Sequence, residues 1–306
     1  MNMSDAANNR PVWRSLLYVP VNVDRFVDKA HMRGADGVIL DLEDSVPPAE
    51  KAHARTLIDA AADKVSRNGA DVLVRINRPI ELAIRDIEAA VSPRICALKL
   101  PKIQSADHVK LIAELVDELE AARGMTVGST WLLPMVETAD AFFTIDAIAK
   151  AHPRVYTVLL GGEDFALDCG FVPDPEVYVY PKQQSIFAAR AAGLTPMGLI
   201  GTVADYSDLD GFRTVVRHSA KFGFEGASCI HPANVPILNE EFSPNEEDVA
   251  YARKVIEADA AMAAEGRGSF EMDGKMIDIP IVYRAERLLA RQARIEARLA
   301  KMRASA

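Results

Sequence analysis

Two acids at the ends of apolar runs carry the first chemical signal in this chain of 306 residues. Trp131-Leu132-Leu133-Pro134-Met135-Val136 ends in Glu137, and Val155-Tyr156-Thr157-Val158-Leu159-Leu160 ends in Gly161-Gly162-Glu163-Asp164. Between them Ala141, Ile145 and Ile148 recur at helical spacing. Two parallel strands joined by a helix lie side by side or nearly so, with their C-terminal ends pointing the same way. Glu137 and Asp164 are therefore expected to converge. Convergent carboxylates with no cation beside them in sequence suit a hard divalent ion, usually Mg²⁺, with Mn²⁺ as its substitute. The ordinary alternative for either acid alone is a helix cap or a first-turn charge facing the helix dipole. The Gly-Gly pair favours the ligand reading, because a backbone bare of side chains lets a ligand come close.

The elements that must position these acids follow a repeating rhythm. Strand-like runs occur at Ser15–Pro20, Gly37–Glu43, Asp71–Asn77 and Ala97–Lys102, then in the two runs above, then at Pro196–Gly201 and Gly226–His231. Helical patterns separate them. One spans Val23–Arg33 and stops at Gly34. Another opens at Pro47-Pro48 and turns Ala54, Leu57, Ile58 and Ala61 inward. A third has Ser105 as N-cap, a stripe of Val109, Ile112, Val116 and Leu119, and Gly124 as its stop; Ser207 is expected to cap a further helix, with Asp210 three residues on. Strands alternating with helices over about 220 residues predict an α/β fold, a (β/α)₈ TIM barrel. The runner-up is a doubly wound open sheet, but no G-x-G-x-x-G turn follows the first strand. The barrel also accounts for where polar residues collect. Asp41, Glu43, Asp44, Arg75, Asn77, Lys99, Lys102, Glu137, Asp164 and His231 all fall near strand C-termini, the rim where barrel enzymes build their sites. His231, before Pro232, reads more readily as a packed histidine than as a ligand.

Composition bounds the rest. The chain is 49% hydrophobic and 26% charged, with a net charge of −9, so it is not built to bind nucleic acid or an anionic membrane non-specifically. No apolar run approaches the roughly 20 residues that span a bilayer, and the first residues lack the apolar centre of a signal peptide. Cys96, Cys169 and Cys229 have no paired spacing, which fits a reducing, cytoplasmic setting. Three regions are expected: a polar, disordered tail over 1–13, a barrel over 14–265, and a C-terminal extension over 266–306. The extension reads as a break at Gly266–Gly268, a hairpin or loop over Ser269–Ile279 with an Asp273-Gly274 turn, and an Arg- and Ala-rich helix from about 281 to 304. That helix serves either as surface packing or as a lid or dimer arm.

The motifs RSLLYVPVNVDRF, DGVILDLEDSV, VLVRIN, LKLPK, LLPMVETADAF, LLGGEDFALD, GASCIHPANV and DGKMID occur in one order. In that order the chain resembles the HpcH/HpaI aldolase and citrate lyase beta-subunit family over residues 13 to 290, most of all its malyl-CoA, citramalyl-CoA and citryl-CoA lyase branch. The resemblance implies an Mg²⁺-dependent, cytoplasmic barrel enzyme, a homo-oligomer (trimer or hexamer), that makes or breaks a carbon–carbon bond between a short acyl-CoA and a 2-keto acid. It implies Glu137 and Asp164 as metal ligands. Arg75 falls at the substrate-carboxylate arginine, with a rim salt bridge to Glu43 or Asp44 as the plain alternative. Glu43 and Asp44 fall in an acidic patch that holds the ion's water rather than the ion, and Asp41 could orient its neighbours. Asp278 falls at the acid on a C-terminal segment that in relatives reaches a neighbouring subunit's site; the plain alternative is a turn aspartate. Arg14, Lys51 and Lys102 are the basic candidates for the CoA phosphates. Two departures stand out: Val21 where relatives often have glycine after YVP, and Tyr180-Pro181-Lys182 where they often have YAR. A CoA-independent 2-keto acid aldolase and a subunit acting on a carrier-bound acyl group are the rival readings.

Overall fold

The computed structural model describes residues 10–201, 207–264 and 269–305, with residues 263 and 264 described by their backbone alone. Two compact units divide the chain after Phe242.

The first unit begins with β1 (Ser15–Pro20), α1 (Asp24–Ala30), β2 (Gly37–Asp41), α2 (Lys51–Thr56), α3 (Ile58–Val65), β3 (Asp71–Arg75), α4 (Ile80–Ala90), β4 (Ala97–Leu100), α5 (Ala106–Ala122) and β5 (Trp131–Val136). It continues with α6 (Ala139–Phe142), α7 (Ile145–Ala149), β6 (Leu159–Leu160), α8 (Gly162–Cys169), α9 (Pro175–Ala191), α10 (Leu209–Phe222), β7 (Ala227–Cys229) and α11 (Asn234–Glu241). Seven strands form one parallel sheet in the order β6-β5-β4-β3-β2-β1-β7. The expected strand at Pro196–Gly201 lies across the gap between β6 and β7 without forming a ladder. Thr195 N–H donates to the Tyr156 carbonyl at 3.3 Å, Gly198 N–H to Gly226 at 2.9 Å, and Glu225 N–H to Pro196 at 2.9 Å. Pro196 has no donor, and Gly198 and Gly201, both at φ 151°, turn successive amides out of the ladder direction. The sheet thus curls into the TIM barrel expected from the sequence.

Alternation along the strands sorts the core into two shells. Leu16, Ile39, Leu73, Ala97, Leu133, Met135 and Leu159 point into the barrel. Val38, Leu40, Val72, Val74, Leu98, Leu132 and Val136 point out against the helices. The same parity brings Tyr18, Asp41, Arg75, Lys99 and Glu137 to the inner face near the strand ends. Register fixes their order, with Pro20 opposite Asp41, Asp41 opposite Arg75, and Arg75 opposite Lys99.

Residues 10–13, expected in the disordered tail, instead close the other end of the barrel. Trp13 is 1% exposed, lies 4.4 Å from the Tyr156 ring, and donates its indole N–H to Asp71 at 2.8 Å. The Tyr156 hydroxyl donates to the Pro11 carbonyl. Gly226 lets β7 pass this plug, since a Cβ there would stand 1.9 Å from the Trp13 carbonyl oxygen. Large rings can fill a barrel floor that small side chains leave open, and composition alone did not register that. Residues 1–9 of the expected tail, and the expected break at Gly266–Gly268, lie outside the described residues.

Helix caps follow local chemistry. Ser105 accepts from His108 N–H, as expected. Asp208, rather than Ser207, caps α10 by accepting from Gly211 N–H. The helix expected to start at Pro47-Pro48 begins as a short 3₁₀ turn and breaks at Leu57 between α2 and α3, with Ala54, Ile58 and Ala61 buried as expected.

The second unit holds α12 (Glu246–Ala264), β8 (Phe270–Met272), β9 (Lys275–Ile277) and α13 (Ile279–Ala304). Its boundary falls after Phe242, earlier than the expected break near 265, because α12 packs with the hairpin and α13 through Ala252, Val255, Ile277, Val282 and Ala285. Asp273 and Gly274, both at positive φ, make the expected tight turn. Among the described residues no helix is long and apolar enough to cross a membrane, and Cys96, Cys169 and Cys229 are free thiols.

Candidate active site

A cavity of about 980 Å³ opens at the C-terminal rim of the barrel. Its walls include Tyr18, Asp41, Asp44, Arg75, Glu137, Gly161, Gly162 and Asp164, so strands β1, β2, β3 and β5 and the turn after β6 all contribute. Glu137 follows β5 and is 4% exposed. It is not the cap of α6: Thr138 has that role, accepting from Ala141 N–H. The Glu137 carboxylate instead accepts the Lys102 backbone N–H at 3.1 Å. Lys102 holds a left-handed conformation at φ 50° to present that N–H, a strained shape for a residue with a side chain. Gly161 makes room for the acid; a Cβ there would lie 2.5 Å from Glu137 Cγ. Asp164 sits in the first turn of α8, where the helix dipole also favours a carboxylate, and it faces the same cavity.

Lys102 ties the acids together. Its ammonium lies 3.4 Å from Asp164 Oδ1 and 3.8 Å from Glu43 Oε1. Burial, then the charges of Asp164 and Glu43, push the Glu137 carboxyl up to about 8. Burial pushes Glu43 up to about 7, outweighing the pull of Arg75 and Lys102, with the charges of Asp44 and Asp41 adding to it. Crowded carboxylates of this kind are relieved by added positive charge. All the donors are hard oxygens, and among the described residues no three His, Cys, Asp or Glu side chains form a ready-made metal cage. Two carboxylates without a full cage suit Mg²⁺, which keeps several of its waters, better than a fully protein-ligated ion.

Arg75 lies behind the acids with its guanidinium 4.8 Å from the centre of the Tyr18 ring. Nε and Nη2 fork both oxygens of Asp41 at 2.7 Å each, while Nη1 reaches Glu43 at 2.8 Å and Asp44 at 3.1 Å. The rim salt bridges expected as the plain alternative are therefore present. Asp41 does orient its neighbours, accepting from Glu43 N–H, Ser45 N–H and the Ser45 hydroxyl as well. Of the five N–H groups of Arg75, one on Nη2 is left over, and Asp44, with its side chain 62% exposed, is the partner most easily displaced by an incoming anion.

The other sequence candidates separate. Lys51 donates its ammonium to the carbonyls of Leu42 and Glu43, so it braces the loop that carries the acidic patch and does not line the cavity. Arg14 is at the opposite end of β1 from the rim. It is buried in a fork with Asp36 at 2.8 Å and does not line the cavity, so its place is structural. Having Arg14 begin a motif said nothing about which end of the strand it occupies. His231 lines the cavity, half-buried, with Nδ1 accepting the Ala233 N–H. Asp278 belongs to the second unit, exposed just before α13, with its carbonyl accepting from Ile281 and Val282 N–H. Sequence reading placed Lys99 on the rim but missed its burial. Its alternation with Leu98 and Leu100 within LKLPK was the signal that it points inward.

The family model described as HpcH/HpaI aldolase/citrate lyase matches residues 14–232. Citrate lyase subunit beta of Leuconostoc mesenteroides subsp. cremoris is 32% identical over 285 residues, covering 92% of this chain and 94% of its own. A (3S)-malyl-CoA thioesterase of Cereibacter sphaeroides is 32% identical over 288 residues, covering 93% and 96%. Among solved structures, the protein CitE from Mycobacterium tuberculosis in complex with magnesium, acetoacetate and coenzyme A superposes with a TM-score of 0.72 at 28% identity, covering 94% of this chain and 99% of that one. With the fold, the rim cavity and these likenesses together, this chain belongs to the HpcH/HpaI aldolase/citrate lyase family.

Proposed function

We propose that this protein is an Mg²⁺-dependent carbon–carbon lyase that splits a 3-hydroxyacyl-CoA of the malyl, citramalyl or citryl kind into a short acyl-CoA and a 2-keto acid, or runs the reverse condensation. The observation that carries the reading is the convergence of Glu137 and Asp164 on one rim cavity, with the Arg75 fork fixed behind them. The magnesium, acetoacetate and coenzyme A bound by the mycobacterial CitE support it. Glu137 and Asp164 would hold the ion. Magnesium, when bound, supplies a positive charge that polarises the keto-acid carbonyl and steadies the negative charge developing on that oxygen.

The chain's own residues divide the remaining work. Arg75 offers Nη2, and Nη1 after displacement of Asp44, to the substrate carboxylate; Asp41 keeps the guanidinium plane from turning. Glu43 and Asp44 hold water around the site. Lys102 steadies the acids through its backbone N–H and through its ammonium beside Asp164 and Glu43. In cleavage the 3-hydroxyl loses its proton, the C–C bonding pair passes to the thioester as an enolate, and a proton returns to the enolate carbon. Asp278, supplied by a neighbouring subunit of a homo-oligomer, is our choice for that acid.

The test is direct. Purified protein with Mg²⁺ is incubated with malyl-, citramalyl- and citryl-CoA, and keto acid and free thiol are both measured. Keto-acid release that disappears on chelation and in Glu137→Gln is the expected result. Thiol release without keto acid would make this chain a thioesterase, like its Cereibacter relative by name. Activity only on a carrier-bound acyl group would make it a lyase subunit.

A further inference from the structure

Below the rim cavity lies a smaller one of about 120 Å³. The two share Tyr18, Met135, Gly161, Gly162 and Glu163, so the smaller opens from the floor of the larger. Two lysines line it. Lys99 points inward from β4 and is 3% exposed; Lys182 comes from α9 and is 5% exposed. Lys99 Nζ donates to the Ser228 hydroxyl at 2.9 Å and lies 4.6 Å from the centre of the Tyr18 ring. Lys182 Nζ donates to the Leu160 carbonyl at 2.7 Å. Among the described residues neither forms an ion pair with an acid, although Lys102, out on the rim, meets two. Carboxylates act on them only from beyond ion-pair distance: Glu163, which lines the same cavity, on Lys182, and Glu137 and Asp41 on Lys99. A buried ammonium without a direct ionic partner favours a ligand that brings one.

We infer that this inner cavity is an anion subsite that receives a second carboxylate of the keto-acid half of the substrate, with Lys99 and Lys182 as the residues that select a 2-keto dicarboxylic acid over a monocarboxylic one. The inference rests on the reading of the rim cavity as a keto-acid site and narrows its substrate class. Size agrees. A water needs roughly 10–15 Å³ of such space, so a cavity of about 120 Å³ has room for a carboxymethyl group. Electrostatics agree as well. Burial, then the charge of Arg75, lowers Lys99 to about 7, and burial lowers Lys182 to about 8; an entering carboxylate would favour the charged form of both.

Oxaloacetate and pyruvate differ by one carboxylate, so their affinities isolate the subsite. Fresh solutions of each are titrated calorimetrically into the purified protein with saturating Mg²⁺. Wild type is expected to bind oxaloacetate at least tenfold tighter than pyruvate. Lys99→Met and Lys182→Met, which keep length and suit a buried site, are expected to bring that ratio close to one while pyruvate binding holds. Equal binding of the two acids by wild type, or a ratio unchanged in both variants, overturns the inference. The larger reading fails separately. Selective oxaloacetate binding without cleavage of any CoA thioester would leave the subsite and remove the lyase; cleavage without selectivity would do the reverse.

Discussion

At the level of single residues, close approach decides what the site tolerates. Gly161 is bare because Glu137 occupies the space its Cβ would need, with Cγ at 2.5 Å and Oε1 at 2.7 Å. Gly161→Ala should therefore push Glu137 aside and weaken Mg²⁺ activation at least tenfold, a loss of about 1.4 kcal/mol, read as the Mg²⁺ concentration for half-maximal turnover. An unchanged Mg²⁺ curve would show that the Glu137 position does not matter to the ion. Arg75 forks one carboxylate and spans two more, a geometry that a lysine point charge cannot copy. Arg75→Lys should lower kcat/KM about a hundredfold, with KM for the keto acid rising in the condensation direction. It should also free Asp41, whose carboxyl is held below its ordinary range because the Arg75 and Ser45 hydrogen bonds outweigh burial. Sequence showed the types and spacing of these residues. It did not show that Arg75 already meets three carboxylates, or that Lys102 stands among the acids, because those contacts join β2, β3, β4 and the turn after β6.

Among the elements, the barrel floor and one buried ion pair carry the testable consequences. Trp13→Ala would empty the plug and remove the indole's hydrogen bond to Asp71, costing about 3–5 kcal/mol in urea unfolding. A loss near zero would mean that the plug contributes no stability. At the far end of α5, Glu120 is fully buried and accepts from Arg154, from Gly128 N–H at 2.7 Å and from Thr130 N–H at 2.7 Å. Burial pushes its carboxyl up, but the hydrogen bonds from Arg154, Thr130 and Gly128 together outweigh it and hold the group at about 2. The folded pKa is below the ordinary carboxylate value, so the native state binds fewer protons than the unfolded one. The contribution is complete above about pH 4.5 and fades as pH falls toward 2. Urea midpoints for wild type should drop between pH 5 and pH 3. Glu120→Gln should be less stable at pH 6 by about 2 kcal/mol, since buried Arg154 loses one of its two counter-charges and keeps only the more exposed Asp117, and should lose part of the acid slope. A parallel slope in the variant would place the acid sensitivity elsewhere.

For the whole molecule, the division after Phe242 puts Asp278 in a unit of its own, apart from the unit that carries Glu137. If a neighbouring copy supplies Asp278, then Glu137→Gln and Asp278→Asn should each abolish turnover alone. Co-folded mixtures should recover a fraction of it, because a mixed oligomer contains sites with both native residues. Mixtures that stay inactive across all ratios would overturn the supply of Asp278 by a neighbouring copy, and an active Asp278→Asn protein would place Asp278 outside the reaction.

Local patterning set the alternation of strands and helices, the tight turn at Asp273-Gly274 and the place of Glu137, Asp164 and Arg75 at strand ends. These follow from periods of 2 and 3.6 residues and from turn chemistry, which act over a few neighbours. Only the tertiary structure decided that Trp13 plugs the barrel, that Pro196–Gly201 spans the gap without a ladder, that Arg14 is at the wrong end for a rim ligand, and that Lys99 and Lys182 face one small cavity. Each of these depends on contacts between residues far apart in the chain. Such contacts are set by how the sheet curls and which side chains fill its centre, and no local pattern encodes that.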